Sequence, residues 1–242
     1  MTHLSLFSGI GGIDLAAHWA GFSTIALVER DEYCQKVLAK NFPGVPIYDD
    51  VTTFNGEPFL GRVALLSGGS PCQDISTANR TGKGVDGERS GLYREIIRIA
   101  TECRPNWVLI ENVHQLIHRG LDRVLSDLEG IGYRATTIVL SSASTGATHK
   151  RKRIWVVAHS DQDEQFALPI NDEAPMLSEF QRHLWRNLGA VDVRTHDGIP
   201  RGLDKYRRRR LEALGNAVSP TQAFPILQAI ADLTNPPPQV DI

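Results

Sequence analysis

Cysteine is scarce: Cys34, Cys72 and Cys103 are the only three in 242 residues. Three thiols set this far apart make no disulfide framework, and there is no CxxC pair to begin a zinc site. The eight histidines are scattered, so no metal centre is expected. No uninterrupted apolar run approaches the roughly 18 residues that a membrane-spanning helix needs. The opening "MTHLSLFSGIGG" lacks the basic stretch and long apolar stretch of a secretory signal. A cytoplasmic protein with no membrane partner is expected. An excess of one charge is missing too: 26 Lys and Arg against 28 Asp and Glu give a net charge of −2. Affinity for a polyanion would therefore have to come from local clusters.

Such clusters exist. "KRKR" at 150–153 carries four positive charges, and "RGLDKYRRRR" at 201–210 carries six against one Asp. Between them, "DQDEQFALPINDEAPMLSEF" at 161–180 has six acids and no Lys or Arg. Either basic run alone reads as a solvated face; the pair raises nucleic acid as a partner.

Short apolar runs alternate with helical spacing, which predicts an α/β fold with a mostly parallel sheet flanked by helices. Strands are expected at 3–7, 24–29, 63–67, 107–113, 135–142 and 153–159. Helices are expected from about Ile13, over 31–42 with Asp31 as N-cap, over 92–103 and over 120–130. The chain divides into a catalytic and cofactor-binding part at 1–159, a short variable insert at 160–198, and a basic closing segment at 199–242. In the last, Ser219 is placed to cap a final helix and Pro220 to open it, with Pro225 awkward inside it. The tail "NPPPQVDI" is expected to fray.

"LSLFSGIGGIDLA" puts Gly9, Gly11 and Gly12 between a strand and a helix, a place where backbone can approach a ligand and offer N–H groups. Glu29 ends the next strand about 20 residues on, where an acid can hold ribose hydroxyls. A dinucleotide fingerprint would need glycine at position 14; Asp14 stands there, and an acid facing the loop would repel a pyrophosphate. A cationic nucleoside ligand without phosphates, S-adenosyl-L-methionine, suits the loop better than NAD. Asp50 in "YDDV" is placed to reach an adenine amino group.

"GGSPCQ" brings Cys72 to the C-terminal end of a strand, where α/β folds gather their ligands. A thiol there is a nucleophile once its pKa is lowered. "ENV" ends a neighbouring strand with Glu111. A cysteine, a carboxylic acid and a methyl donor in one crevice match the chemistry of methylating cytosine carbon 5. Thiolate addition to carbon 6 makes carbon 5 enamine-like, and an acid at N3 stabilises the electrons pushed there.

In this order the motifs resemble the 5-cytosine DNA methyltransferases, compact phage and prophage members in particular. The resemblance implies a Rossmann-like class I S-adenosylmethionine-dependent fold. "FSGIGG" resembles the cofactor loop (Phe7, Gly9, Gly11, Gly12), with Glu29 for the ribose and Asp50 and Val51 for the adenine. "SPCQ" is similar to the nucleophile motif, with Pro71 against the cofactor and Cys72 attacking. "GVDGERSGLYRE" (84–95) is similar to the motif after the catalytic loop and places Leu92 near the cofactor. "HKRKR" (149–153) resembles a Q-x-R-x-R pattern, which implies that Arg151 and Arg153 hold the base, its phosphate and the loop. "GNAVSP" resembles the closing motif, with Asn216 and Ala217 over the cofactor. DNA contacts are expected from Gln73, Ser76, Arg89, Lys150, Arg207 and Arg208, and double-stranded DNA is the expected partner. The target base must leave the duplex, and loop 73–90 is long enough to close over it. The chain departs from the pattern at Thr148 and His149, where Pro and Gln are common. Its insert is short and acidic where family members carry a long recognition domain, and no clear penultimate motif is present. A monomer is expected, with room for a restriction endonuclease partner in the host. The alternatives are a tRNA cytosine-5 methyltransferase and a non-catalytic DNA-binding subunit.

Overall fold

The computed structural model describes residues 1–71, 92–145, 151–160, 213 and 217–235. Cys72, Gln73, Ser76, Arg89, His149, Lys150, Arg207, Arg208 and Asn216 lie outside the described residues, as do the 73–90 loop, the basic run at 201–210 and nearly all of the insert.

Seven strands form one sheet: β1 (Thr2–Leu6), β2 (Ser23–Val28), β3 (Ile47–Tyr48), β4 (Leu65–Gly68), β5 (Trp107–Val113), β6 (Tyr133–Ser141) and β7 (Lys152–Ser160). Their order is β3-β2-β1-β4-β5-β7-β6. All run parallel except β7, which is antiparallel to β5 and to β6. The described helices are α1 (Gly12–Trp19), α2 (Glu32–Asn41), α3 (Tyr93–Cys103), α4 (Leu116–Arg119), α5 (Leu121–Gly130) and α6 (Pro220–Thr234). This is the mostly parallel, helix-flanked sheet that the alternation predicts.

Successive strand residues face opposite sides, so each central strand feeds two cores. Leu65, Trp107, Leu109, Trp155 and Val157 pack under α1 and α6. Leu66, Val108, Ile110 and Val156 pack under α3 and α5. Strands buried on both faces read as continuous apolar runs, which is why "VALLS" and "WVLI" were legible. Tyr93, Ile96, Ile99, Ala100 and Cys103 of α3 are all buried, one apolar stripe at helical spacing.

Asp31 caps α2 as expected, accepting from Tyr33 N and Cys34 N at 2.9 Å each. α6 starts at Pro220 and runs through Pro225. The proline removes one intrahelical bond, and the buried Ala223, Ile226, Leu227 and Ile230 hold the helix together across it. Asp14 departs from expectation. It does not face the glycine loop's ligand side but lies fully buried beneath it, its Oδ1 3.9 Å from His3 Nδ1. Asp14 is therefore not placed to repel a pyrophosphate.

Gly12, the first residue of α1, backs onto the start of α6: a Cβ there would lie 2.3 Å from the Val218 carbonyl oxygen. Gly12→Ala should push residues 217–219 outward and cost about 1–3 kcal/mol. Thermal melts with and without S-adenosylhomocysteine check this: both stability and the ligand's stabilising shift should fall.

Candidate active site

The strand order reverses between β1 and β4, and ligands of open α/β sheets bind beyond the strand ends at such a reversal. The register aligns Val28, Leu6, Gly68 and Ile110 across β2, β1, β4 and β5. The next residues of the four chains are Glu29, Phe7, Gly69 and Glu111, so residues distant in sequence share one rim. A cavity of about 440 Å³ opens there.

One side of the cavity is built by the glycine turn, the end of β2 and the segment after β3. Phe7, Gly9, Glu29, Asp50, Val51 and Thr52 line it. Phe7 holds a left-handed φ of 54°, which costs a non-glycine residue free energy and is met with mostly at functional turns. Glu29 fixes the turn: its Oε2 accepts from Gly9 N at 2.7 Å and its Oε1 from Asp31 N at 2.8 Å. Asp50 starts its own turn, Oδ1 accepting from Thr52 N at 2.9 Å and from the Thr52 hydroxyl at 2.7 Å. These bonds hold its carboxyl below the usual range. Gly11 and Gly12 are not in the lining. A Cβ on Gly11 would meet Phe42 and Leu38 of the adjoining helix and its end, so both glycines back the turn by close packing.

The other side is built by β4, β5 and β7. Gly69, Ser70, Pro71, Glu111, Asn112, Arg151 and Arg153 line it. Arg153 Nε donates to Glu111 Oε1 at 2.7 Å, and the antiparallel β7 makes this possible by setting Arg153 opposite Val113. Glu111 is only 8% exposed. Burial raises its pKa, and the neighbouring Arg153 and Arg151 only partly oppose the rise. Gly69 leaves room for the acid, since a Cβ there would sit 3.1 Å from Glu111 Oε2. Asn112 Nδ2 reaches Ser70 O and Oγ at 3.4 Å, tying the end of β5 to the segment that enters Cys72. Leu92 and Ala217 complete the wall.

The structure thus brings together Phe7, Gly9, Glu29, Asp50, Val51, Pro71, Leu92, Glu111, Arg151, Arg153 and Ala217. It adds Arg30, Cys34, Thr52, Ser70 and Asn112, which sequence reasoning did not pick out. Cys34 is a second thiol in the lining, but burial and then Glu29 and Asp31 push its pKa up to about 12. Cys103 is buried in the core and is likewise pushed up to about 12. Neither forms a thiolate readily near neutral pH. Gln222 was also missed. Fully buried on α6, it donates to Leu140 O at 2.7 Å and to Arg151 O at 3.1 Å, pinning the end of β6 and the residue that enters β7.

Among the described residues no three His, Cys, Asp or Glu side chains gather as a metal site, and no helix is long and apolar enough to cross a membrane.

A family model, C-5 cytosine-specific DNA methylase, matches residues 1–198. Type II methyltransferase M2.BsuMI of Bacillus subtilis is 37% identical over 182 residues, covering 72% of this chain and 46% of that protein. Type II methyltransferase M.CviJI of Paramecium bursaria Chlorella virus IL3A is 35% identical over 158 residues, covering 64% and 42%. The chain spans less than half the length of either relative. A crystal structure of an E. coli prophage protein, described as a DNA modification methyltransferase, superimposes with a TM-score of 0.57 at 28% identity, covering 71% of this chain and 49% of that one. A sheet with one reversed strand, a glycine turn latched by an acid and a buried Glu–Arg pair thus accompany a family match over most of the sequence: the chain belongs to the C-5 cytosine-specific DNA methylase family.

Proposed function

We propose that the chain is a DNA (cytosine-5-)-methyltransferase that moves a methyl group from S-adenosyl-L-methionine to carbon 5 of a flipped-out cytosine, through a covalent adduct at Cys72. One observation carries the reading: a single cavity joins the Glu29–Asp50 wall to the Glu111–Arg153 pair, with Pro71, the residue before Cys72, in its lining.

The donor set fits an adenosyl sulfonium. Glu29, Asp31 and Asp50 make the adenosine side acidic, which opposes phosphates and favours a cation and hydroxyl donors. Phe7, Val51, Leu92 and Ala217 supply apolar contact. When bound, the cofactor supplies an electrophilic methyl group.

The chain's own residues do the rest. The Cys72 thiolate adds to carbon 6 of the base, and the ring electrons move toward N3. Glu111, whose pKa burial raises, gives a proton to N3 as that charge develops. Arg153 holds the carboxyl through its Oε1. Carbon 5, now enamine-like, would accept the methyl with S-adenosylhomocysteine as the leaving group; loss of the carbon 5 proton to a base, return of the N3 proton to Glu111 and expulsion of the Cys72 thiolate would then restore the aromatic ring. With Cys34 and Cys103 held as thiols, Cys72 is the remaining candidate nucleophile. Residues 1–159 form the catalytic part in this reading. Residues 160–198 serve as a reduced target-recognition insert, and 199–242 as the closing segment that returns Asn216 and Ala217 to the cofactor. Lys150, Arg207 and Arg208 act on phosphates with Gln73, Ser76 and Arg89 near the target base, so binding should weaken steeply with salt.

The test is methyl transfer by the purified chain from labelled cofactor to duplex DNA of mixed sequence, beside tRNA and beside the Cys72→Ala variant. Transfer to DNA that is lost in the variant supports the reading. Transfer to tRNA alone makes the chain an RNA enzyme, and transfer to neither leaves a non-catalytic binding subunit.

A further inference from the structure

We infer that Arg98 is a positioning residue for the adenine side of the cavity: its guanidinium clasps the turn that Asp50 begins and so sets where that carboxylate meets a ligand. The inference rests on the cofactor reading above and names a residue outside the cavity lining.

The segment between β3 and β4 has little regular structure to hold it, only one short 3-10 turn at Glu57–Phe59. Its order comes from two ends. At the first, Asp50 closes a turn on itself: its Oδ1 takes both Thr52 donors, and its carbonyl accepts from Phe54 N at 3.0 Å. At the second stands α3. Arg98 Nη2 donates to Val51 O at 2.8 Å and Nη1 to Phe54 O at 3.0 Å, so one planar group reaches two carbonyls of that turn. The guanidinium is aimed by its own helix. Nε donates to Glu95 Oε2 at 2.8 Å and Nη1 to Glu102 Oε1 at 2.6 Å. The other oxygen of Glu102 accepts from Gly56 N at 2.7 Å, two residues beyond Phe54.

The fork geometry matters more than the charge. The two ion pairs are partly exposed and would contribute little to stability by themselves. The Val51 and Phe54 carbonyls are met together by two fixed donors of one guanidinium, whereas a lysine ammonium has no such fork. Loosening this clasp frees Val51, which lines the cavity beside Asp50. The carboxylate then spreads over more positions, and a ligand must order it on binding.

Calorimetric titration of S-adenosylhomocysteine tests this on the whole chain, with wild type, Arg98→Lys, Arg98→Met, Asp50→Ala and the Arg98→Met/Asp50→Ala double variant. Arg98→Met should weaken binding about tenfold and Arg98→Lys by less, while the double variant binds no worse than Asp50→Ala alone. That non-additivity separates positioning from a merely structural role, whose losses would multiply. Arg98→Lys keeps the positive charge beside Glu95 and Glu102, and so reports on the clasp even where Arg98→Met folds poorly. Wild-type affinity in both Arg98 variants, or multiplying losses in the double, would overturn the inference. Failure of the wild type itself to bind would remove the cofactor reading and this inference with it.

Discussion

Glu111→Gln is expected to slow methyl transfer by about 10²–10⁴-fold while leaving the fold and cofactor affinity in place. The residue sits two positions before the end of β5, in its buried part, where backbone pairing fixes its Cα and Arg153 fixes one carboxyl oxygen at 2.7 Å. An amide of the same shape fills that space and can still point an N–H at N3. It cannot deliver a proton as negative charge builds on the ring, and that is the step at stake. The pH dependence follows from the same burial. The raised pKa keeps more of the acid neutral than an exposed carboxyl would be. As pH climbs through that raised value the neutral acid is lost, so the rate should fall on the alkaline side. In Glu111→Gln that limb should be missing from a kcat profile. A variant with an unchanged rate would remove Glu111 from the mechanism.

Asp14→Asn should produce the largest change in how stability responds to pH. Burial raises the Asp14 pKa from 3.8 to about 7 and lowers that of His3 from 6.5 to about 3. Asp14 by itself favours folding in acid, and that contribution is lost as pH rises from about 4 to 7. His3 by itself favours folding above 6.5, and its contribution is lost as pH falls toward 3. Between about pH 4 and 6.5 the folded state carries its proton on Asp14 and the unfolded state on His3, so the two slopes cancel. Removing the acid leaves the His3 slope uncovered, about 1.4 kcal/mol per pH unit. Denaturant melts of both proteins at pH 7 and 4.5 give the measurement. The variant should lose roughly 2–3 kcal/mol more than wild type on acidification; a pH-independent difference would contradict the pairing. The cluster also reaches the site. His3 Nε2 lies 2.7 Å from Ser67 Oγ on β4, and Ser8 in the glycine turn donates to Ser5 Oγ at 2.9 Å, with Ser5 alongside Asp14.

What was legible in the sequence was whatever leaves a local mark. Apolar runs gave the strands, because a sheet covered on both faces excludes polar residues over several positions in a row. Asp31 stood directly before helical spacing, and glycines stood at a strand end. Glu111 and Arg153 were found as members of motifs, though only register shows why they meet. Less legible was what depends on which way a side chain turns. Asp14 read as facing a ligand, yet its place two residues into α1 turns it inward to His3. Cys34 lies on the cavity side of α2, and Arg98 and Gln222 act on backbone carbonyls far away in sequence, with nothing local to mark them. Pro225 read as an interruption because propensity cannot see the packing that carries α6 through it.

The most direct measurement of the central claim is a covalent trap. Duplex oligonucleotides carrying 5-fluorocytosine in place of cytosine, within varied flanks, are incubated with the folded chain and S-adenosyl-L-methionine, and the protein is analysed by intact mass and peptide mapping. Fluorine at carbon 5 cannot leave as a proton does, so the ring stays bonded to sulfur. A protein–DNA adduct mapping to Cys72, and absent in Cys72→Ala, is the result expected. Methyl transfer to ordinary DNA with no such adduct at Cys72 would contradict it.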